Sequence, residues 1–490
     1  MTSFVEAARR EKLAELVKRG IVPFAYRFDR TGPIAPALEG FKDGDTTVYR
    51  LAGRLILLRS MGKTTFGHLE DRSGKIQVYF KIDVVGAEAY EVVKLLDLGD
   101  VIGVEGPLFR TNSGEVTLRV QRFSLLTKSL RPLPLGKEDA EGKRHGELAD
   151  PELRARQRYV DLAVHPDVRE VFRLRARAVG YVRSFLDARG YLEVETPVLQ
   201  PVYGGASARP FVTHYEALDS NVYLRIADEL YLKRCIVGGL EKVYEIGHDF
   251  RNEGMDRLHN PEFTMAEWYE AYGDYEAMLQ LTEALLSGMV QELFATTTLE
   301  RHGATLDFKR PFARKDYYAL VRETAGIDLT RATEAELRAA LKRKDVADAD
   351  TLAGAKLVDE VFKSYAEPTL IQPTFVLDYP LALSPLAKLK RGDPTRVERW
   401  ELFVQKRELA NAFSELNDPD EQRRRFEQQA RLRAAGDIEA QQLDEDFIRA
   451  LEYGMPPTGG VGLGVDRLLM ILADQPHIRD VILFPMLRPE

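Results

Sequence analysis

The chain has 490 residues, 44% hydrophobic and 30% charged, with a formal net charge of −8; this is material for about three domains with real cores and too acidic for a protein that coats nucleic acid indiscriminately. No window approaches the ~18 uninterrupted apolar residues of a membrane span, and the charged start MTSFVEAARREKLAELVKRG lacks the apolar stretch of a secretion signal. The single cysteine, Cys235, leaves no internal disulfide and fits a reducing compartment, so a cytoplasmic protein is expected. Residues 1–150 are slightly basic and the remainder acidic, which hints that RNA meets the front end.

In chain order, Phe4 to Lys18 reads as a helix, followed by a connection through Gly32, Pro33 and Pro36 that closes a leading segment at about residue 45. From Val48 to Thr127 the pattern turns to short β-rich runs: VYRLAGRLILL, TTFGHLED, GKIQVYF, DVIGVEGPLF and VTLRVQRFSLL. Turns at Asp71 to Gly74 and Thr111 to Gly114 separate them, and a helical stretch near Ala87 to Leu96 divides the third from the fourth. Five short strands of this kind predict a small OB-type barrel over 46–135. A Pro-containing stretch, Arg131 to Leu135, and a charged linker over 136–150 precede the second domain, 151–490. There Phe172, Ala176, Val179, Val182 and Leu186 recur at helical spacing, with Gly190 as the expected stop. YLEVETPVL then reads as a strand ended by Pro197, and Tyr275 to Leu293 as a helix. Leu337 to Lys344 and Leu357 to Tyr365 read as helices of an insertion at about 325–366. The fold class expected is α+β.

Three stretches carry chemistry. The first is VYEIGHDFRNEGMDRLHNPEFTMAEWYEAY, Val243 to Tyr272. Its two β-patterned arms flank a polar loop with Gly254, Asn260 and Pro261, so a long antiparallel hairpin is predicted. Period-two alternation puts Tyr244, Ile246 and Phe250 on one side and Arg251 on the other; on the second arm Phe263, Met265, Glu267 and Tyr269 share a side. An aromatic ring, a carboxylate and a phenol on one face make a poor hydrophobic surface and a good small-molecule floor.

The second stretch is ELFVQKRELANAFSELND, Glu401 to Asp418. Leu409, Asn411, Phe413 and Glu415 alternate onto one side, and Glu401 and Glu408 are candidate magnesium carboxylates. With Gln405 and Lys406 as the turn, Glu408 falls on the side opposite Asn411 and Glu415. A β-bulge near Ala410 is needed to bring them together. The third stretch, GGVGLGVDRLLMIL (Gly459 to Leu472), does not have the spacing of a dinucleotide loop. A glycine-rich strand feeding a helix whose Arg467 reaches a phosphate is the better reading.

Together the three resemble motifs 2 and 3 of class II aminoacyl-tRNA synthetases, and the helix with YLEVETP is similar to motif 1. The detailed resemblance is to bacterial-type lysyl-tRNA synthetases and covers essentially the whole chain: GGASARPF, YLRIADELYLKR, FRNEG, HNPEFT, DYPLALSPLAK, FSELNDP and IRDVILFP follow in that order. The resemblance implies an antiparallel sheet flanked by helices behind an anticodon-reading OB barrel, a homodimer, and activation of L-lysine with ATP and Mg²⁺ before transfer to tRNA(Lys). By motif, it implies Arg251 at the lysine carboxylate and α-phosphate, with Glu253 and His259 on the ATP loop. Phe263 is implied under the adenine and Arg467 on the far side of ATP, making Arg251 and Arg467 the catalytic pair. It also implies Glu401 and Glu408 as magnesium ligands, Glu401 also at ATP, Glu229 and Glu267 near the α-amino group, and Asn411, Phe413, Tyr269 and Glu415 in the lysine pocket, with Tyr269 and Glu415 at the ε-ammonium. In the barrel, Arg59, Phe66 and Gln77 match anticodon contacts, although a lone Phe66 would otherwise read as core.

The chain departs from that pattern at Tyr215 and Glu216, where a His-Asn pair is common, and at Gln405 and Lys406, where a Gly-Gly turn is common. Aspartyl- and asparaginyl-tRNA synthetases share the architecture, but Glu415, Tyr269 and DYPLALSPLAK speak for lysine. A catalytically inactive RNA-binding relative is expected to have lost Arg251, Arg467, Glu401 or Glu408, and all four are present.

Overall fold

A computed structural model describes residues 4–138, 144–434 and 440–489. The chain forms two compact units, Met1–Val164 and His165–Glu490, so the division falls after the boundary at 151 read from the sequence. No helix among the described residues is long and apolar enough to cross a membrane.

The first unit opens with the expected helix, Phe4–Lys18. Its barrel has six strands in the order 48–61, 64–70, 75–81, 116–119, 101–110 and 122–127, and the first strand also pairs with 101–110 to close it. The expected fifth strand is therefore two, Val116–Arg119 and Arg122–Thr127. Closure depends on the first strand, Val48–Met61, changing partners along its length: Val48 to Arg54 face 101–107 and Arg54 to Met61 face 64–70. At the changeover a Cβ on Gly53 would lie 2.7 Å from the Glu70 carbonyl oxygen, so only glycine lets the strands come so close. Leu51, Leu55, Leu69, Val78, Phe80, Ile102 and Val104 alternate inward and are fully or almost fully buried. The linker region contains a short hairpin, Leu135–Glu138 with Arg144–Glu147; 139–143 lie outside the described residues.

The second unit is built on an eight-stranded sheet in the order 313–316, 374–377, 399–404, 407–414, 458–464, 262–271, 242–250 and 192–193. The two outermost pairings are parallel and all the others antiparallel. The helices Pro166–Asp187, Tyr275–Phe294 and Val465–Leu472 cover one face. Their apolar sides meet Ala266, Trp268, Trp400, Leu402, Ala410, Ala412, Val461 and Leu463, every second strand residue, in one core. Alternation leaves the intervening residues for the opposite face. Gly190, with φ +78°, ends the first of these helices as expected. YLEVETPVL is not one strand: only Leu192–Glu193 and Leu199–Gln200 pair, in different sheets, because Thr196-Pro197 removes a donor and bends the chain between them. The insertion contains the helices Glu334–Lys342 and Gly354–Val361, the latter running into a single π-helical turn, Phe362–Ala366.

Candidate active site

The long hairpin has the predicted arms, Lys242–Phe250 and Glu262–Ala271, in a regular register from Lys242 opposite Glu270 to Phe250 opposite Glu262. Tyr244 turns to the core side, its hydroxyl on Asp187, and Ile246 packs there too. The other face carries a row across five strands: Glu245, Glu267, Gly462, Asn411 and Glu401 are successive register partners. Beside it runs a second row, Val243, Tyr269, Gly460, Phe413 and Arg399. The predicted floor residues Glu267, Tyr269, Asn411 and Phe413 therefore meet on one surface.

The bulge on which this surface depends is present. Phe403 faces Glu408 while Leu402 faces Ala410, leaving Leu409 as the extra residue. Glu408 thereby joins the face of Glu401 and Asn411. Leu409 itself does not share that face, contrary to the alternation read from the sequence; it is buried in the helix-side core, because the bulge inverts parity at that residue. Gln405 and Lys406 form the turn with φ of +50° and +62°, a left-handed pair suited to a two-residue hairpin.

At one end of the floor, Glu229 and Glu415 close around Lys233. Its Nζ pairs with Glu229 Oε1 and lies 2.5 Å from Glu415 Oε2, and the three residues are at most 5% exposed. Burial pushes the Glu415 carboxyl up to about 8, with Lys233 opposing the shift and Glu229 adding to it. Burial likewise holds Glu229 and Glu267 above the usual carboxylate range. The Tyr269 hydroxyl donates to Glu267 Oε2 at 3.1 Å rather than to Glu415. A Cβ on Gly460 would sit 2.2 Å from Glu415 Oε1 and 2.3 Å from the Tyr269 ring, so the glycine strand makes the room that these side chains occupy.

Arg251 follows the first arm, its guanidinium 5.1 Å from the Phe263 ring and its Nη2 donating to the Ile226 carbonyl at 3.4 Å. His259 and Arg467 arrive from opposite directions and meet, Nε2 to Nη2, at 3.1 Å, and Arg467 Nη1 lies 3.3 Å from Glu408 Oε2. His259 is steadied by Asp256 at 2.8 Å. Glu253 is exposed on the same loop. The helix bearing Arg467 is pinned by its neighbour Asp466, which accepts from the Thr264 backbone at 2.6 Å and pairs with Arg175 of the first long helix.

Glu401 accepts from the Tyr379 hydroxyl at 2.8 Å and pairs with Arg399. Burial pushes its carboxyl up to about 7, against Arg399 and with help from Glu408. Two carboxylates on a shared face, beside Arg467, are a donor set that would suit a hard divalent cation such as magnesium.

Several residues here escaped sequence reading. Arg399 is one: its Nε donates to Asn411 Oδ1 at 3.0 Å and its Nη1 to Ser384 Oγ at 2.8 Å. Arg225, buried beneath the long hairpin, faces Asp228 at 2.8 Å, Glu245 at 2.5 Å and Asp249 at 3.4 Å. Asp228, Asp249 and Glu267 have carboxylate oxygens within 4.8 Å of one another, and burial with Asp249 alongside pushes Asp228 up to about 10. Glu367, after the π-helical turn, is pushed up to about 7 by burial and Glu408. Nothing in spacing pointed to Arg225, Asp228, Lys233 or Glu367.

In the barrel, Arg59 faces Phe66 and Phe66 faces Tyr79 across adjacent strands. Phe66 is half-buried and lies outside the barrel core, which removes the core reading. Its ring is 4.7 Å from Tyr79, Tyr79 is 6.1 Å from Phe109, and Arg119 covers Phe109 at 4.7 Å. Gln77 and His68, also opposite one another, both bond Glu115, at 2.7 and 2.9 Å. Tyr79, Phe109 and Arg119 extend the surface beyond the three residues read from the sequence.

Residues 49–126 match the OB-fold nucleic acid binding domain model, and 150–488 match the class II tRNA synthetase model for D, K and N. The chain is 50% identical to a lysine–tRNA ligase of Moorella thermoacetica over 99% of its own length and 98% of the relative's. It is 50% identical to one of Pelotomaculum thermopropionicum (98% and 94%) and 48% identical to one of Halalkalibacterium halodurans (98% and 96%). A synthetase match over residues 150–488 and relatives 50% identical along nearly the whole chain show that this chain belongs to the class II tRNA synthetases, among the lysine–tRNA ligases.

Proposed function

We propose that the chain activates L-lysine with ATP, releasing pyrophosphate, and transfers the lysyl group to the 3′-terminal ribose of tRNA(Lys). The observation that carries the choice of amino acid is the buried Glu415 at the closed end of a carboxylate-lined floor whose other end presents Arg251. A zwitterion with a second ammonium satisfies both ends. Aspartate would bring a carboxylate against Glu415, and asparagine would leave it unpaired, at a cost of a few kcal/mol.

The lysine carboxylate is ionised at neutral pH, its pKa being near 3.5, so attack on the α-phosphorus needs no general base. The bond to the bridging oxygen breaks and pyrophosphate leaves. What the protein supplies is positioning and charge compensation. Arg251 holds the carboxylate against the α-phosphate, Phe263 stacks on the adenine, and Arg467 with His259 and Glu253 orients the phosphates. Glu267 and Glu229 take the α-ammonium; Glu415, Tyr269, Asn411 and Phe413 line the side chain. Glu401 and Glu408 are the residues that would hold Mg²⁺, which would supply positive charge to neutralise the triphosphate. Arg59, Phe66 and Gln77 read splayed anticodon bases by stacking and hydrogen bonds.

Amino acid-dependent ATP–pyrophosphate exchange measured with each of the standard amino acids tests the reading. Exchange is expected with lysine far above all others. Exchange driven by aspartate or asparagine, or by none, would overturn it.

A further inference from the structure

The pocket proposed to take an ammonium already contains one. Lys233 lies on the helix Glu229–Val237, is 0% exposed, and has its Nζ enclosed by Glu229 Oε1 and Glu415 Oε2, the latter at 2.5 Å. A fully buried lysine is among the costliest side chains to desolvate and persists only with its charge paired. Its two partners are the carboxylates placed at opposite functional groups of the amino acid. Neither Glu415 oxygen has a partner in hydrogen-bond geometry among the described residues although the residue is 1% exposed; Oε2 has the Lys233 ion pair and Oε1 has none. It points to where Gly460 leaves space and the Tyr269 ring approaches. One oxygen of Glu415 is thus engaged by a built-in cation and the other is free.

Three buried carboxylates, Glu229, Glu267 and Glu415, surround this floor. Lysine brings two ammonium groups. Without Lys233, the neighbouring carboxylates Glu229 and Glu415 would have no cation between them and would share a proton in the unliganded protein.

Given a pocket that takes lysine, as proposed above, we propose that Lys233 is a specificity-determining positioning residue: its ammonium, clamped between Glu229 and Glu415, favours the ionised form of Glu415 and leaves the other oxygen turned to the substrate's side-chain ammonium. The groups facing Glu415 are Lys233 and Glu229 on the helix Glu229–Val237 and Tyr269 on the second arm of the long hairpin, whose hydroxyl bonds Glu267. Arg399 faces Glu229 from the neighbouring hairpin. Of the two cations, only Lys233 touches Glu415. Its attraction opposes the upward push of burial on that carboxyl. Removing it leaves Glu415 protonated to higher pH, so lysine must displace a proton to bind, and affinity is lost as pH falls below the carboxyl's pKa.

The test is lysine- and norleucine-dependent exchange by the full chain and by Lys233→Met, from about pH 6 to about pH 9. In the variant at pH 7 the KM for lysine is expected to rise at least tenfold with kcat within about threefold of the parent. It is expected to recover as pH rises, with a limiting slope of about tenfold per pH unit. The KM for norleucine, which has no side-chain ammonium, is expected to change less than about threefold at any pH. Equal losses for the two amino acids, or a lysine KM whose pH dependence is the same in the variant as in the parent, would show that Lys233 only holds the helix. Should Lys233→Met not fold, Lys233→Gln, which keeps hydrogen bonding and loses the charge, has the same expected and opposing outcomes. A parent enzyme without lysine-dependent exchange would sink the proposed function instead, and the parent is measured in the same series.

Discussion

At the scale of single residues, charge pairing decides what the floor can bind. Glu415→Gln keeps the shape but withdraws the partner from both Lys233 and the substrate ammonium. A lysine-binding loss of about 2–4 kcal/mol is expected. Norleucine never had that interaction, so the lysine-over-norleucine ratio in exchange is expected to fall by roughly 30-fold or more. Equal losses would make Glu415 a structural residue. Glu401 yields a pH prediction of the same kind. Its carboxyl, pushed up to about 7 by burial and by Glu408, is ionised above that pH and protonated below it, and only the ionised form attracts a cation. The Mg²⁺ concentration for half activity is therefore expected to climb as pH falls from 8 through about 7 toward 6. In Glu401→Gln it is expected to be higher at every pH and to lose that slope. A parent enzyme with a flat profile would remove Glu401 from the metal site.

At the scale of elements, the hairpins and the glycine strand share one register, so a change in one is felt by its neighbours. Gly460 lies between Tyr269 and Phe413, and a methyl group there would be 2.2 Å from Glu415 Oε1 and 2.3 Å from Tyr269. Overpacking of this kind costs about 1–3 kcal/mol. Gly460→Ala is expected to raise the lysine KM at least tenfold while ATP binding, read by equilibrium dialysis, stays within about threefold. Gly462→Ala is a built-in comparison. Its Cβ would meet the mobile end of Met265 at 3.2 Å, so the effect is expected to be small. If both variants behaved alike, close approach at Gly460 would not be what shapes the pocket.

At the scale of the whole molecule, the proposed anticodon surface and the proposed activation site lie in separate compact units. Phe66→Ala, Tyr79→Ala and Arg59→Ala are each expected to weaken aminoacylation of tRNA, by about 1–3 kcal/mol where a base-stacking ring is lost. Lysine-dependent exchange without tRNA is expected to stay unchanged. Parallel loss of both activities would return Phe66 to a folding role. Assembly is the second expectation at this scale. Leu192, Leu199, Val212 and Leu218, in or just after the motif 1 segment, are 51%, 55%, 57% and 69% exposed. So many exposed aliphatic side chains on one stretch of chain suit burial against a second copy. Light scattering at micromolar protein is expected to give about twice the 55.5 kDa chain mass. A fully active monomer would overturn the dimer.

The sequence by itself determined the elements and their faces wherever periodicity is strong. The barrel strands, the long hairpin, the glycine strand and the helix bearing Arg467 follow from alternation, helical spacing and turn residues. The need for a bulge near Ala410 followed from parity alone, because Glu408 and Asn411 cannot otherwise share a face. Alternation failed where the backbone leaves its period: at Leu409, which the bulge turns into the core, and at YLEVETPVL, which Pro197 divides. Tertiary structure alone decided which distant charges meet. Lys233 looks on its helix like any solvent-facing lysine, and Arg225, Asp228 and Arg399 carry no spacing signal. Their partners come from strands up to 182 residues away, in the case of Lys233 and Glu415, and electrostatic pairing at such separation is set by how sheets and helices pack, not by neighbours in the chain.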